Sequence, residues 1–311
     1  MYEDKYIELK RLKKNNTIGI LLIIFLLAFI FLAPAILPYF IPNIIDYIEN
    51  TPYIIISVII GIFLLIIIYM KLNSPYYKLK NELTFEIKNN YLKTELNNTF
   101  NNSYKEENIE ELKKELIENN IGYGESIIVN DCFSAKYNNI RFKYLDAEFY
   151  HHSDDSTIIT FNGPIYIFET KNSLEGDLYI GHKTKSLFGS HSEIDSIIDK
   201  KNNQEVKPTT SVLDTNIMVR SNAKPSIIED SSFQQIINEL MLDNKYMFIY
   251  KNNKLYVLNY NYEDLFEIII NNRVDELKAK DHIQNNIKTI QSELENITRY
   301  RERLNIKEDT F

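Results

Sequence analysis

One stretch decides the fold: "NIRFKYLDAEFYHHSDDSTIITFNGPIYIFET" (residues 139–170). β-Branched and aromatic residues fill two runs of it, and the polar segment from His151 to Asp155 separates these runs. Such runs are typical of strands, and the short polar segment is typical of a turn. Similar runs lie before and after it, "SIIVNDCF" (126–133) and "GDLYIGHK" (176–183). The spacing predicts an antiparallel meander.

Helical patterns flank these strands. "SPYYKLKNELTFEIKNNYLKTEL" (74–96) and "NIEELKKELIENN" (108–120) carry apolar residues at helical spacing. Further along, "KYMFIYKNNKLYVLNY" (245–260) predicts a hairpin whose turn is an Asn-Asn pair at 252–253. The predicted fold class is therefore α+β, with a mainly antiparallel sheet, flanking helices and a long C-terminal helix.

The C-terminal helix carries a heptad pattern typical of a coiled coil. Its apolar positions are Ile283, Ile287, Ile290, Leu294, Ile297 and Leu304. The pattern has two interpretations. The seam packs on its own domain or on the helix at 74–96, or it pairs with a second copy, so that a homo-oligomer forms through residues 280–304.

Two apolar runs lie near the N-terminus, at 18–37 and 53–70, and neither contains a charged residue. A helix needs about 20 such residues to cross a hydrocarbon core about 30 Å thick. The sequence therefore predicts a transmembrane helical hairpin. Lys and Arg flank the two runs but are absent from 38–52, so the positive-inside rule places both termini in the cytoplasm.

This interpretation predicts a multi-pass protein of the cell membrane. Its expected partners are the lipid bilayer and another membrane protein. The expected domains are a cytoplasmic N-terminal segment (1–16), the hairpin (17–70), juxtamembrane helices (71–124), an α+β soluble domain (125–270) and the C-terminal helix (271–311).

Composition removes several classes of function. The net charge is −8 and no basic stripe is present, so we expect no nucleic-acid partner. The single cysteine, Cys132, cannot form a disulfide within the chain and fits a reducing compartment. Neither Gly-rich phosphate-binding loop occurs, and the sequence indicates no cofactor.

The turn at 151–155 holds the candidate reactive side chains. His151 or His152 could bind zinc or iron together with Asp154 or Asp155, because imidazole and carboxylate groups are ligands for these metals. However, adjacent residues of a strand point to opposite faces, which separates the two imidazoles. Ser and Asp are also common in hairpin turns. The sequence therefore assigns no catalytic, cofactor or metal residue, and a solvated turn or a partner contact are the other interpretations.

Three segments resemble a known family. They are "TIITFNGPIYIFETKNSLEG" (157–176), "KSLFG" (185–189) and the stretch 213–267. In this order, over about 125–305, they are similar to the prokaryotic membrane family called domain of unknown function 3137. The resemblance implies two N-terminal spans before a soluble α+β domain. It implies no mechanism, because the family has no established activity. The stretch 221–225 departs from the family's pattern.

Together these features predict a membrane-anchored cytoplasmic binding or scaffold module that acts through protein or membrane-surface contacts. The alternative is an enzyme of unrecognised class with its site near His151–Asp155, for which metal dependence is one option. Whether the protein has any catalytic activity is left open by the sequence.

Overall fold

The computed structural model describes most of the chain, and within helices and strands it leaves some side chains undescribed. The described residues are 2–40, 52–122, 126–152, 156–186, 189–192, 201–242, 246–260, 265–268 and 272–309. Side chains are not described at 29–40, 52–61, 64, 72, 184–186, 189–192 and 273–274.

The chain forms two compact units. The first comprises Met1–Tyr91 and Ile268–Asp281, and the second comprises Leu92–Glu267 and His282–Phe311. The helices are α1 (Glu3–Phe40), α2 (Pro52–Thr99), α3 (Ile109–Glu118), α4 (Ser231–Leu242) and α5 (Arg273–Arg299), with a short 3₁₀ helix at Ser226–Glu229.

The described strands are β1 (Lys105–Glu106), β2 (Ser126–Tyr137), β3 (Ile140–His152), β4 (Thr157–Glu169), β5 (Leu178–Ser186), β6 (Gly189–Ser192), β7 (Gln204–Glu205), β8 (Ile217–Ser221), β9 (Tyr246–Lys251) and β10 (Lys254–Asn259). Their order is β1-β2-β3-β4-β10-β9-β5-β8-β7, and β6 pairs with β5. Each pairing is antiparallel.

The prediction of two membrane spans is wrong. Across the described parts of the chain, no helix is long and apolar enough to cross a membrane. In the first predicted span, side chains are described only for 18–28, about half of the roughly 20 apolar residues that a crossing requires. The other side chains of that run, and those before residue 62 in the second, lie outside the described residues. The fold is thus α+β without the transmembrane pair, and the two-span membrane location with its orientation is corrected with it.

The first unit is held by contacts between helices. The hydroxyls of Tyr6 and Tyr91 each donate a hydrogen bond of 2.9 Å to Glu276. Lys5 on α1 forms an ion pair of 2.5 Å with Glu86 on α2. The buried apolar side chains of this unit include Leu9, Leu83, Ile87 and Ala279. The sequence predicts a helix that begins at Ser74. In the structure this segment is part of α2, which already runs from Pro52, so Pro75 lies inside a helix.

The sheet of the second unit departs from a simple meander. β2, β3 and β4 are consecutive neighbours, but the β9–β10 hairpin inserts between β4 and β5. Its strands are buried along almost their whole length. A strand that is apolar on both faces belongs inside a sheet and not at its edge, which explains this position. Asn252 and Asn253 form its turn with φ of 50° and 58°, the left-handed values of a type I′ hairpin.

Helices cover both faces of this sheet. Leu112 and Leu116 of α3 are buried in a cluster with strand residues such as Leu145 and Ile165. α3 begins where Asn108 Oδ1 accepts hydrogen bonds from the amides of residues 110 and 111, as an N-cap does. The predicted heptad positions of the C-terminal helix are all buried in the second unit, and each is at most 2% exposed. They are Ile283, Ile287, Ile290, Leu294, Ile297 and Leu304.

Candidate functional site

His151 and His152 end strand β3, as the sequence predicts. Their register partners on β4 are Ile158 and Thr157, and both imidazoles are exposed. Nε2 of His152 lies 2.9 Å from Ser126 Oγ, and its Nδ1 lies 3.0 Å from Thr157 Oγ1. Because neighbours on a strand point to opposite faces, His151 is directed away from this group.

This geometry gives little support to a metal site at the turn. Both nitrogens of His152 already contact hydroxyl groups, so a metal would have to displace one of them. Asp154 and Asp155, the predicted carboxylate ligands, lie outside the described residues. In the described part of the chain, no group of three or more His, Cys, Asp and Glu side chains is arranged to hold a metal ion.

Cys132 on β2 is not set up as a nucleophile. Burial, together with the nearby carboxylates of Glu107 and Asp131, raises the pKa of its thiol to about 11. Its Sγ donates to the carbonyl oxygen of Glu107 at 3.3 Å. A nucleophilic cysteine needs the opposite arrangement, in which the thiolate is stabilised near neutral pH.

The distinctive feature beside the histidines is the three-stranded end of the sheet, which we call the arm. It consists of residues 126–129 of β2, 149–152 of β3 and 157–161 of β4. β1 pairs with β2 only at Phe133 and Ser134, and β10 pairs with β4 only from residue 165 onward. Among the described residues, no strand therefore pairs with either outer edge of the arm.

Three isoleucines of the arm are exposed, whereas its other apolar side chains, such as Phe149 and Phe161, are buried in the core. Ile159 is opposite Tyr150 and is 48% exposed, whereas Ile158 is opposite His151 and is 55% exposed. Ile128, on β2, is exposed to a similar degree opposite Glu148. These side chains lie on the two outer strands of the arm, and apolar side chains beside strand edges that no described strand pairs are candidates for a contact surface.

The charged groups nearer the middle of the sheet are already paired. Glu115 of α3 accepts from Lys254 at 2.6 Å and from Lys143 at 3.2 Å. Burial alone would raise the pKa of Glu115, but the two lysines lower it below its usual value. Glu293 of α5 accepts from the Tyr166 hydroxyl at 2.5 Å and from Asn259 Nδ2 at 2.8 Å. These groups fasten helices to the sheet.

A cleft of about 270 Å³ lies next to this paired group. The cations that line it are Arg141, Lys143, Lys254 and Lys307. Each lies within 3.2 Å of a carboxylate of the same chain. An anionic ligand would have to compete with these ion pairs, so the cleft is a weaker candidate than the arm.

A second apolar surface lies on the helices of the first unit, and we call it the apolar helix surface. On α1 it comprises Ile18, Leu21, Leu22, Ile24, Phe25 and Leu26, and on α2 it comprises Phe63, Ile66, Ile67, Ile68 and Met70. Phe25 alone is 69% exposed. A group of exposed apolar side chains of this kind is typical of a site that contacts an apolar partner.

No family model, no curated protein and no solved structure matches the chain. The comparisons therefore show no family for it. The resemblance to the domain of unknown function 3137 family stays a prediction. The arm has to be judged on its own geometry.

Sequence reasoning found the hairpin end and missed the surface beside it. The histidines and aspartates of the turn suggested a metal or reactive site because imidazole and carboxylate groups bind metals. The side chains that sequence reasoning missed are Ile158 and Ile159, which are adjacent on β4. Successive apolar residues on a strand place one side chain on each face, as they also do in the buried strands β9 and β10, so only the structure shows that these two are exposed.

Proposed function

We propose that this protein is a binding module that acts through contacts with protein, and that the arm is its contact surface. The observation that supports this is the combination of exposed Ile158 and Ile159 with strand edges that no described strand pairs. Edge strands present free backbone donors and acceptors, and β-strand addition is a common way of recognising another chain.

The chemistry of the described side chains favours binding over catalysis. The thiol of Cys132 is protonated at neutral pH because its pKa is raised to about 11. His152 is held between two hydroxyl groups, and Glu115 is held between two lysines. Each of these arrangements has a structural explanation.

Photo-crosslinking in cells tests this function. A benzophenone amino acid replaces Ile159 in the full chain, and the matched control carries it in place of Lys114, which is exposed on α3. We expect position 159 to give discrete crosslinks to protein and position 114 to give none above background. If the two positions give the same crosslinks, or if position 159 gives none, the arm is not a protein contact.

A further inference from the structure

We propose that Lys136 and Arg141 form a binding site for the phosphate group of a small phosphate monoester. The carboxylate of Asp309 is the internal ligand of this site and occupies it when the monoester is absent. The rest of the monoester lies in the adjoining cleft. The site is separate from the arm, so the inference does not depend on the proposed function.

Lys136 and Arg141 face each other across the β2–β3 ladder. They are register partners beside the turn that joins the two strands. Like charges directly opposite each other destabilise an antiparallel pair of strands. An anion between the two side chains removes this repulsion, so the pair of cations is suited to hold one.

One carboxylate oxygen of Asp309 takes this position. Its Oδ2 lies 2.6 Å from Lys136 Nζ and 3.2 Å from a terminal nitrogen of Arg141. Arg141 Nε also donates to the same oxygen, at 3.4 Å. The two cations hold the pKa of the Asp309 carboxyl below its usual value. They therefore stabilise a negative charge at this point.

The charges of the site suit a phosphate better than a carboxylate. Two cations share one oxygen of a group that carries a single negative charge. A phosphate monoester carries a charge of about −1.5 to −2 near pH 7 and has three strong acceptor oxygens. It can give Lys136 and Arg141 separate oxygens, and both residue types are usual partners of phosphate groups.

The cleft next to this site has room for the rest of the ligand. Arg141 and Asp309 line it, together with the apolar side chains of Ile167 and Phe168. Its volume of about 270 Å³ is close to the lower end of the range for ligand clefts. The cleft therefore suits a small monoester with an apolar body.

The internal ion pair is open to exchange. The side chain of Arg141 is 66% exposed and that of Asp309 is 30% exposed. Exposed ion pairs contribute little to stability, so a dianion can displace the Asp309 carboxylate at small cost. The other two cations of the cleft, Lys143 and Lys254, are held by Glu115, whose side chain is only 16% exposed. Exchange is therefore confined to Lys136 and Arg141.

Isothermal titration calorimetry of the full chain with phenyl phosphate tests the site. We expect Asp309→Asn to bind phenyl phosphate several-fold more tightly than the unchanged chain, because its internal ligand is neutral. Arg141→Gln should weaken binding by about tenfold or more, because it removes a charge-assisted contact. The matched control is Glu302→Gln, since Glu302 pairs with Lys171 at 2.8 Å instead. It should bind like the unchanged chain.

Benzoate tests the preference for a dianion. It has the same ring as phenyl phosphate but carries one negative charge on a carboxylate. We expect it to bind more weakly than phenyl phosphate to the unchanged chain and to Asp309→Asn. Equal affinity for the two compounds would overturn the assignment of a phosphate site.

Thermal unfolding gives a second readout and shows whether each variant is folded. Phenyl phosphate should raise the unfolding temperature of Asp309→Asn more than that of the unchanged chain, because a tighter ligand stabilises the folded state more. Sodium chloride at the same ionic strength should not distinguish the two chains.

Three results would refute the inference. They are no binding of phenyl phosphate by either the unchanged chain or Asp309→Asn, equal binding by Asp309→Asn and Glu302→Gln, and undiminished binding by Arg141→Gln. If Asp309→Asn does not fold, Lys136→Gln takes its place. Its binding should be weaker than that of the unchanged chain, and equal binding would count against the site.

Discussion

At the scale of single residues, two carboxylates of the second unit show how burial and partners shift a pKa in opposite directions. Glu115 lies between two lysines, and its pKa falls below the usual value in spite of burial. Burial raises the pKa of Glu293, and the hydrogen bonds from Tyr166 and Asn259 offset this rise only in part. The two lysines therefore favour the charged form of Glu115. In contrast, burial disfavours the charged form of Glu293, and its hydrogen bonds compensate for only part of this desolvation cost.

Replacing Glu115 tests the clamp between α3 and the sheet. A carboxyl whose pKa falls on folding contributes stability above its unfolded pKa, and this contribution is lost as the pH falls through its folded pKa. We expect Glu115→Gln to lower the unfolding free energy by about 1–2 kcal/mol near pH 7 and by much less near pH 3.

Denaturant unfolding at the two pH values measures this difference. The matched control is Glu118→Gln on the same helix, where the carboxylate lies 3.6 Å from Lys114 in an exposed pair. Exposed pairs contribute little, so the control should change stability by less than about 0.5 kcal/mol. Equal effects at positions 115 and 118 would contradict the clamp.

Glu293 has the opposite dependence on pH. A group whose pKa rises on folding contributes stability that is complete below its unfolded pKa and is lost as the pH rises through its folded pKa. Glu293→Gln should therefore gain stability relative to the unchanged protein between about pH 4 and pH 7. Urea unfolding across this range checks the trend. Glu295→Gln, exposed on the same helix, should show no such trend, and a flat difference for position 293 would refute the assignment.

At the scale of elements, α5 decides between two uses of one heptad seam. The pattern alone allows packing within the chain or pairing with another helix. In the structure the seam residues of the second unit are buried, with Ile283, Ile290 and Leu294 at 0% exposure. The Tyr250 hydroxyl also donates to the carbonyl oxygen of Leu304 at 3.3 Å, just beyond the helix. A homo-oligomer through 280–304 would have to use the outer side of this helix.

Removal of one seam side chain distinguishes the two uses. Ile290→Ala should lower the unfolding free energy by about 2–5 kcal/mol, because it leaves a cavity in a packed core. Chemical denaturation measures the loss, and light scattering should show an unchanged oligomeric state. Lys288→Ala, exposed on the same helix, should stay within about 0.5 kcal/mol. A dissociated oligomer with little loss of stability would instead place the seam in an interface.

At the scale of the whole molecule, the two units differ in where their apolar side chains lie. Among the described strands of the second unit, large apolar side chains are buried or partly buried except for Ile128, Ile158 and Ile159. The first unit exposes a row of large apolar side chains on α1 and α2, the apolar helix surface. Such a surface is costly in water, so it is a second place where an apolar partner gains free energy on contact.

A charged double variant tests this surface. Leu22→Glu with Phe25→Glu should reduce the binding of a hydrophobic fluorescent dye to the purified chain and should reduce its self-association. Leu277→Glu is the control, because this leucine is 60% exposed but lies on α5, outside the apolar helix surface. A variant that binds as much dye as the control would show that the row of side chains is not one contact surface.

The local elements follow from the sequence because their causes are local. The β-branched and aromatic runs of residues 139–170 predict strands, the Asn-Asn pair at 252–253 predicts a hairpin turn, and the apolar spacing of 108–120 predicts a short helix. Each signal depends on residues within a few positions of one another. The membrane spans were predicted from apolar run length alone, and the described helices do not bear them out.

By itself, then, the sequence determined an α+β chain with a hairpin at 245–260, a short polar turn that contains two histidines, and a heptad seam. Only the tertiary structure decided that β9 and β10 enter between β4 and β5, that the seam faces its own sheet, and that the arm extends past its neighbouring strands. The physical reason is range: propensity and periodicity act between neighbours in the chain, whereas strand order and exposure depend on which distant segments compete for the same edge or face.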